Sequence, residues 1–114
     1  MKRAVTLKAN YEFQRLFRRG TSAISSTMVL YCRKNNLGRN RIGLVSSTKL
    51  GKAVVRNRTR RRLREVYRLH SGELKQGYDL ILVGRSRTST APWQELNAQF
   101  EKLCRKLDLT EEQA

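Results

Sequence analysis

The chain has 114 residues, 39% of them hydrophobic, and its 25 Lys and Arg against 9 Asp and Glu give a formal charge of +16. That length suits one compact domain, residues 1–114, and leaves no room for a second of ordinary size, while the charge calls for a polyanionic partner, nucleic acid ahead of an anionic membrane. A membrane is disfavoured: no apolar run approaches the roughly 20 residues of a span, and behind its basic residues the opening MKRAVTLKANYEF lacks the apolar stretch of a signal peptide, so the expected location is cytoplasmic.

The first predicted helix spans residues 10–19, with Asn10 as N-cap, Glu12 in the positively polarised first turn and Gly20 at a left-handed C-terminal position. Phe13, Leu16 and Phe17 share one side, flanked by Arg15, Arg18 and Arg19. Short strands follow at 21–24, 27–33 and 41–47, the last after the turn-rich KNNLGRN. In the second of these, Met28, Leu30 and Cys32 share one face and Val29, Tyr31 and Arg33 the other.

A helical period then runs over 53–70. Val55, Thr59, Leu63, Val66 and Tyr67 gather on one side; Asn57, Arg60, Arg61, Arg64 and Arg68 gather on the other. Arg62 falls near the apolar side and is expected to snorkel from a boundary or reach a cleft. Residues 78–84, YDLILVG, are apolar without alternation, the mark of a central strand covered on both faces. The last helix starts near Pro92 and repeats Trp93, Leu96, Phe100, Leu103 and Leu107. The tail from Asp108 on, 109–114 above all, is expected to fray. No internal repeat, low-complexity stretch or linker interrupts the chain.

Catalytic chemistry is hard to assemble from this inventory. A metal-dependent nuclease needs converging carboxylates, and a metal-free one needs a His pair or His with Lys. His70 is the only histidine and reads as a helix-terminal cation. Glu65 reads as the ion-pair partner of Arg61 or Arg68, and Asp79 merely begins a strand. The seven glycines fall singly at turns, so no phosphate-cradling loop occurs. Cys32 and Cys104 lack metal or redox spacing and read as reduced core residues. No catalytic residue and no metal site is therefore assigned to this chain alone.

The segment RNRTRRRLREVYR, residues 56–68, holds seven arginines. Like charges four apart, such as Arg60 with Arg64 and Arg64 with Arg68, cost a helix a few tenths of a kcal/mol each, so the stripe makes sense with phosphates lying across it. Arginine engages phosphate bidentately and stacks on bases, as lysine does not. DNA readout would want mixed Asn, Gln and Ser at base-reading positions, so RNA is favoured.

Leu50, Ala53, RNR at 56–58, Arg60, Arg61, Leu63, Arg64 and Tyr67-Arg68 resemble the arginine-rich signature of the bacterial ribonuclease P protein subunit. EFQRLFRRGTS at 12–22, VLYCR at 29–33, IGLVSS at 42–47 and YDLILVGR at 78–85 follow in that family's order and spacing, over nearly the whole chain. Thr59 departs from the signature, which has an aliphatic residue there.

The resemblance implies an α/β (α+β) two-layer sandwich of three helices and a four-stranded mixed sheet in the order αβββαβα, with an uncommon left-handed βαβ crossover. It implies an endoribonuclease whose RNA subunit, with bound Mg²⁺, removes the 5′ leader from precursor tRNA, with one protein per RNA. Carried over by position, Arg56, Asn57, Arg58, Arg60, Arg61, Arg64 and Arg68 contact the catalytic RNA, and Phe13, Phe17, Val29 and Tyr31 match a cleft for the single-stranded leader. Aromatic faces there would stack on unpaired bases with little sequence preference; Phe13 and Phe17 also have a reading as core residues, Phe13 more so than Phe17. Two alternatives remain open. A ribosomal or other structural RNA-binding protein would share the charge and size but has less use for Phe13, Phe17 and Tyr31 around a cleft, and a stand-alone endonuclease would need the missing acid and base groups.

Overall fold

The computed structural model of the chain describes residues 5–7 and 9–111. Most of the basic opening, residues 1–4 and 8, and the last three residues of the tail lie outside them. The elements run β1 (Val5–Thr6), α1 (Asn10–Arg19), β2 (Thr21–Ile24), β3 (Met28–Lys34), β4 (Arg41–Val45), α2 (Ala53–His70), β5 (Tyr78–Gly84) and α3 (Trp93–Lys106). This is the expected αβββαβα order preceded by a strand of two residues. The mixed sheet is ordered β1-β4-β5-β3-β2. β4 runs parallel to both β1 and β5, and the antiparallel pairs are β3 with β5 and β2 with β3. The parallel pair β4 and β5 is joined through α2.

The period-2 pattern of the strands sorts the core into two clusters. Met28, Leu30 and Cys32 of β3, Leu80 and Leu82 of β5 and Ile42 of β4 face one way, where Leu63, Val66 and Tyr67 of α2 and Leu96, Phe100, Leu103 and Cys104 of α3 close over them. Each large apolar side chain sealed there contributes about 1.5–3 kcal/mol. The opposite face carries a smaller cluster in which Leu7, Leu16 and Ile81 are buried, with Phe13, Tyr31, Val45 and Val83 packed around them. β5 lies between the two, and its Leu80, Ile81 and Leu82 are all nearly inaccessible, as its unbroken apolar run predicts.

Close approaches explain two glycines. α1 is capped one residue before Asn10, at Ala9, and the Ala9 N–H donates to the Glu12 carboxylate at 3.1 Å. Its far end does not turn left-handed at Gly20, where φ is −77°. Glycine is needed there because a Cβ would lie 2.6 Å from the Leu16 carbonyl oxygen and 2.9 Å from that of Cys32. At Gly43 a Cβ would meet the Phe13 ring at 2.5 Å, so this glycine lets α1 lie low on the sheet.

The tail is pinned further than the sequence led us to expect. Asp108 takes a left-handed φ of 56° and reverses the chain after α3. Leu109 is then buried, its carbonyl accepts the Lys75 N–H at 2.7 Å, and the Glu111 N–H donates to the Glu73 carbonyl at 3.2 Å. The anchor is the hydrophobic side chain of Leu109, docked in the main core, and composition alone does not reveal it.

Candidate nucleic-acid interface

α2 begins and ends at the predicted residues, and its two sides divide as the period dictates. Thr59, Leu63, Val66 and Tyr67 are buried, while Asn57, Arg58, Arg60, Arg61, Arg64 and Arg68 are largely turned to solvent. Arg58, Arg61 and Arg64 make no hydrogen bond or ion pair with another described residue. Arg60 donates to the Asn57 side-chain oxygen at 2.7 Å, and Arg68 is the partner of Glu65. Arg56 is half-buried, and its Nε has no acceptor. The exposed side of α2 is thus a row of cations with little internal compensation.

Arg62 serves the fold. Its two terminal nitrogens donate to the carbonyls of Thr88 at 2.6 Å and Ala91 at 2.7 Å, tying α2 to the loop that enters α3. Burial, reinforced by Arg58, pushes its pKa down. His70 is likewise structural: it is buried at the end of α2, 2.6 Å from the Asn97 side-chain oxygen and 3.2 Å from Glu73, with its ring tilted against Phe100. His70 stands in the last turn of α2, as expected, and from there it also links α2 to α3.

On the other face of the sheet, α1 covers only part of the surface. Phe17, on the open side of the helix, meets Tyr31 edge to face with ring centroids 4.9 Å apart. Phe17 remains 39% exposed and Tyr31 half-buried, so each presents ring surface to solvent. Phe13 is different: packed over Gly43 and the Leu7, Leu16 and Ile81 cluster, it forms the inner wall beneath the helix. Beyond α1 the register aligns Val45, Val83, Val29 and Ile24 in one row across four strands. The three valines are half-buried and Ile24 is open. This row makes an apolar floor beside Phe17 and Tyr31. Sequence reasoning found Val29 but not Val45, Val83 or Ile24, because which residues stand in one row depends on strand pairing.

A second omission lies at the N-terminal end of α1. Arg41 of β4 donates to Asp79 of β5 through Nε and a terminal nitrogen, both at 2.8 Å, and its other terminal nitrogen lies 2.5 Å from Glu12 of α1. Asn35 adds a third hydrogen bond to Asp79 at 2.8 Å. Burial pushes the Asp79 carboxyl up, but the hydrogen bonds from Arg41 and Asn35 outweigh it and hold the carboxyl below the usual range. The same ion pair raises the Arg41 pKa.

Five further acids have a basic neighbour: Glu65 with Arg68, Glu95 with Arg87, Glu73 and Glu101 with His70, and Asp108 with Lys75. Among the described residues no group of three or more His, Cys, Asp or Glu could hold a metal ion. The two thiols are free and buried; burial, aided by the field of Cys32 and nearby carboxylates, pushes Cys104 up to about 12. No helix among the described residues is long and apolar enough to cross a membrane.

The sequence profile of the family described as Ribonuclease P matches residues 1–108. The ribonuclease P protein component of Natranaerobius thermophilus is 43% identical over 109 residues, covering 96% of this chain and 95% of that one. The chain belongs to the ribonuclease P protein family. The corresponding component of Thermoanaerobacter sp. is 41% identical, covering 95% of this chain and 93% of that one. In three dimensions the Staphylococcus aureus ribonuclease P protein superposes with a TM-score of 0.82 at 26% identity, covering 96% of this chain and all of that one. The Thermotoga maritima protein gives 0.77 at 28%, covering 88% and 96%. Ribonuclease P protein membership makes this chain a component of an endoribonuclease that processes tRNA, in partnership with the ribonuclease P RNA.

Proposed function

We propose that this ribonuclease P protein, working in the cytoplasm with one copy per RNA, grips the catalytic RNA with α2 and the 5′ leader of precursor tRNA with the face beside α1. The observation that carries this reading is the placement of a largely uncompensated cation row and an open aromatic face on opposite sides of one sheet. Two RNA segments can then be held at once.

On α2, Arg56, Arg58, Arg60, Arg61, Arg64 and Arg68, with Asn57 among them, meet backbone phosphates. Binding relieves their mutual repulsion and releases counterions. In the cleft, Phe17 and Tyr31 stack on unpaired leader bases, Val29 and its row provide the apolar floor, and Phe13 supports the helix from within. Stacking contributes about 1–3 kcal/mol per base and tolerates any base, which suits a component that meets many leaders. Most acids among the described residues face arginine, lysine or histidine, so Mg²⁺ is assigned mainly to the RNA subunit, where it supplies an activated water and stabilises phosphate charge. The chain's own part is to bind and orient.

The test compares precursor and mature tRNA. Phe17→Ala or Tyr31→Ala should weaken precursor binding to the assembled enzyme by about 1 kcal/mol or more and leave mature tRNA binding as it was, because mature tRNA has no leader to stack. Affinity ratios that keep their wild-type value in both variants would refute the leader cleft. The role in cleavage is read separately: chain, catalytic RNA and precursor tRNA at low Mg²⁺ should give 5′ cleavage faster than RNA alone, and none from the chain by itself.

A further inference from the structure

We propose that Glu12, Arg41 and Asp79 act together as a positioning clamp that sets α1 over the sheet and thereby aligns Phe17 with Tyr31 for leader stacking; this rests on the leader reading above. The three residues come from three different elements. Asp79 and Arg41 are paired neighbours on the parallel strands β5 and β4, and Glu12 lies in the first turn of α1. Arg41 uses one edge of its guanidinium for both Asp79 oxygens and its remaining nitrogen for Glu12. Its planar fork cannot satisfy both partners if the helix rotates or slides.

The trio is mostly shielded, with side-chain exposures of 22% for Arg41, 13% for Glu12 and 16% for Asp79, so its geometry is held more tightly than that of a surface pair. Asn35 fixes the carboxylate from a third side. Glu12 also caps its own helix through the Ala9 N–H, so the group that meets Arg41 is rigidly joined to the helix end.

The rest of α1 acts as a lever from that point. Phe13 rests on Gly43, Leu16 is buried beside Ile81, and Gly20 abuts the Cys32 carbonyl. Along this line the helix crosses from β4 over β5 to β3. Phe17 is the residue that leaves the packed line and forms the cleft wall. No cation of the clamp belongs to the α2 stripe, and none of its three residues stands in the row of Val45, Val83, Val29 and Ile24. The clamp therefore acts on the leader through α1.

Glu12→Gln is the informative substitution, because glutamine retains an oxygen for the Ala9 N–H while losing the charge that meets Arg41. In the assembled enzyme it should lower the ratio of precursor to mature tRNA affinity roughly three- to tenfold, the scale of a misaligned stacking group. A general charge effect on RNA binding would move both ligands and cancel in the ratio. In a Phe17→Ala background, Glu12→Gln should have no further effect, since its route runs through Phe17. In the RNA-free chain, the Phe17 ring protons, shifted by the Tyr31 ring, should move toward random-coil values in Glu12→Gln, and Glu12→Asp should behave between the two. A wild-type ratio in Glu12→Gln, or a loss that adds fully to that of Phe17→Ala, would overturn the clamp while leaving the leader cleft standing. If Phe17→Ala alone leaves the ratio unchanged, the clamp's route through Phe17 is overturned; if Tyr31→Ala also leaves it unchanged, the leader reading fails as well, whatever the ring shifts show.

Discussion

Thr59 of α2 packs directly on Gly84 of β5, and the fit there is set by a single missing atom. Its hydroxyl donates to the Val55 carbonyl at 2.9 Å, so a buried polar group is satisfied within the helix, and its methyl points at Gly84, where a Cβ would stand 2.3 Å away. Gly84→Ala should destabilise the chain by about 1–3 kcal/mol, the usual cost of overpacking a closed core. Thr59→Ser, which removes the methyl and keeps the hydroxyl, should recover a large part of that loss. Urea midpoints for the two single variants and the double variant give the coupling directly, and strict additivity would mean that this approach does not limit the packing. The departure of Thr59 from an aliphatic residue is therefore a matter of how α2 meets the sheet, with the side chain turned away from the exposed arginine row.

Within α2, arginines of the same run have opposite roles, and the element's geometry separates them. Arg60 and Arg64 point outward, whereas Arg62 holds the Thr88 and Ala91 carbonyls. Arg60→Ala with Arg64→Ala should weaken RNA binding about equally across sequences and lower the slope of log affinity against log salt by roughly 0.7–0.9 for each phosphate no longer neutralised. Parallel salt lines for wild type and double variant would remove the row as a phosphate surface. Arg62→Ala should instead cost about 1.5–3 kcal/mol of stability, because it removes charge-assisted hydrogen bonds to two carbonyls. Its salt slope should stay near that of the wild type. Thermal unfolding and salt titration together tell the two classes of arginine apart.

For the whole molecule, the ion trio that spans α1, β4 and β5 gives stability a particular dependence on acid. Asp79 has its pKa held below its ordinary value of 3.8. Such a carboxyl contributes its full stabilisation above that value and loses it as pH falls through the folded-state pKa. The urea midpoint should accordingly decline as pH is lowered below about 4. Asp79→Asn should be less stable than wild type near neutrality and should show a shallower decline over the acid range. An equally steep decline would assign the acid sensitivity to other carboxylates. Protonation of Asp79 also loosens the anchor of α1, so the leader face should weaken in acid before the α2 row, whose arginines do not titrate there.

The bounds of α2, the division of its faces and the central place of β5 were all legible in the sequence, because each follows from the period of one continuous segment. Local spacing put Phe13 and Phe17 on one side of α1 and Val29 and Tyr31 on one face of β3, the family resemblance alone grouped the four as a cleft, and nearest-neighbour chemistry offered Arg61 or Arg68 as the partner of Glu65, which is Arg68. Spacing could not separate Phe13 from Phe17, which lie one turn apart on the same side of α1. Their difference comes from Gly43, a residue of another element that admits the Phe13 ring and leaves Phe17 at the margin. Nor could it join Glu12, Arg41 and Asp79, which are far apart in the chain and meet only when α1 lies across β4 and β5. Periodicity is a property of one segment, and a row, a clamp or a cleft wall is a property of several, so those were decided by strand register and by how closely α1 packs on the sheet.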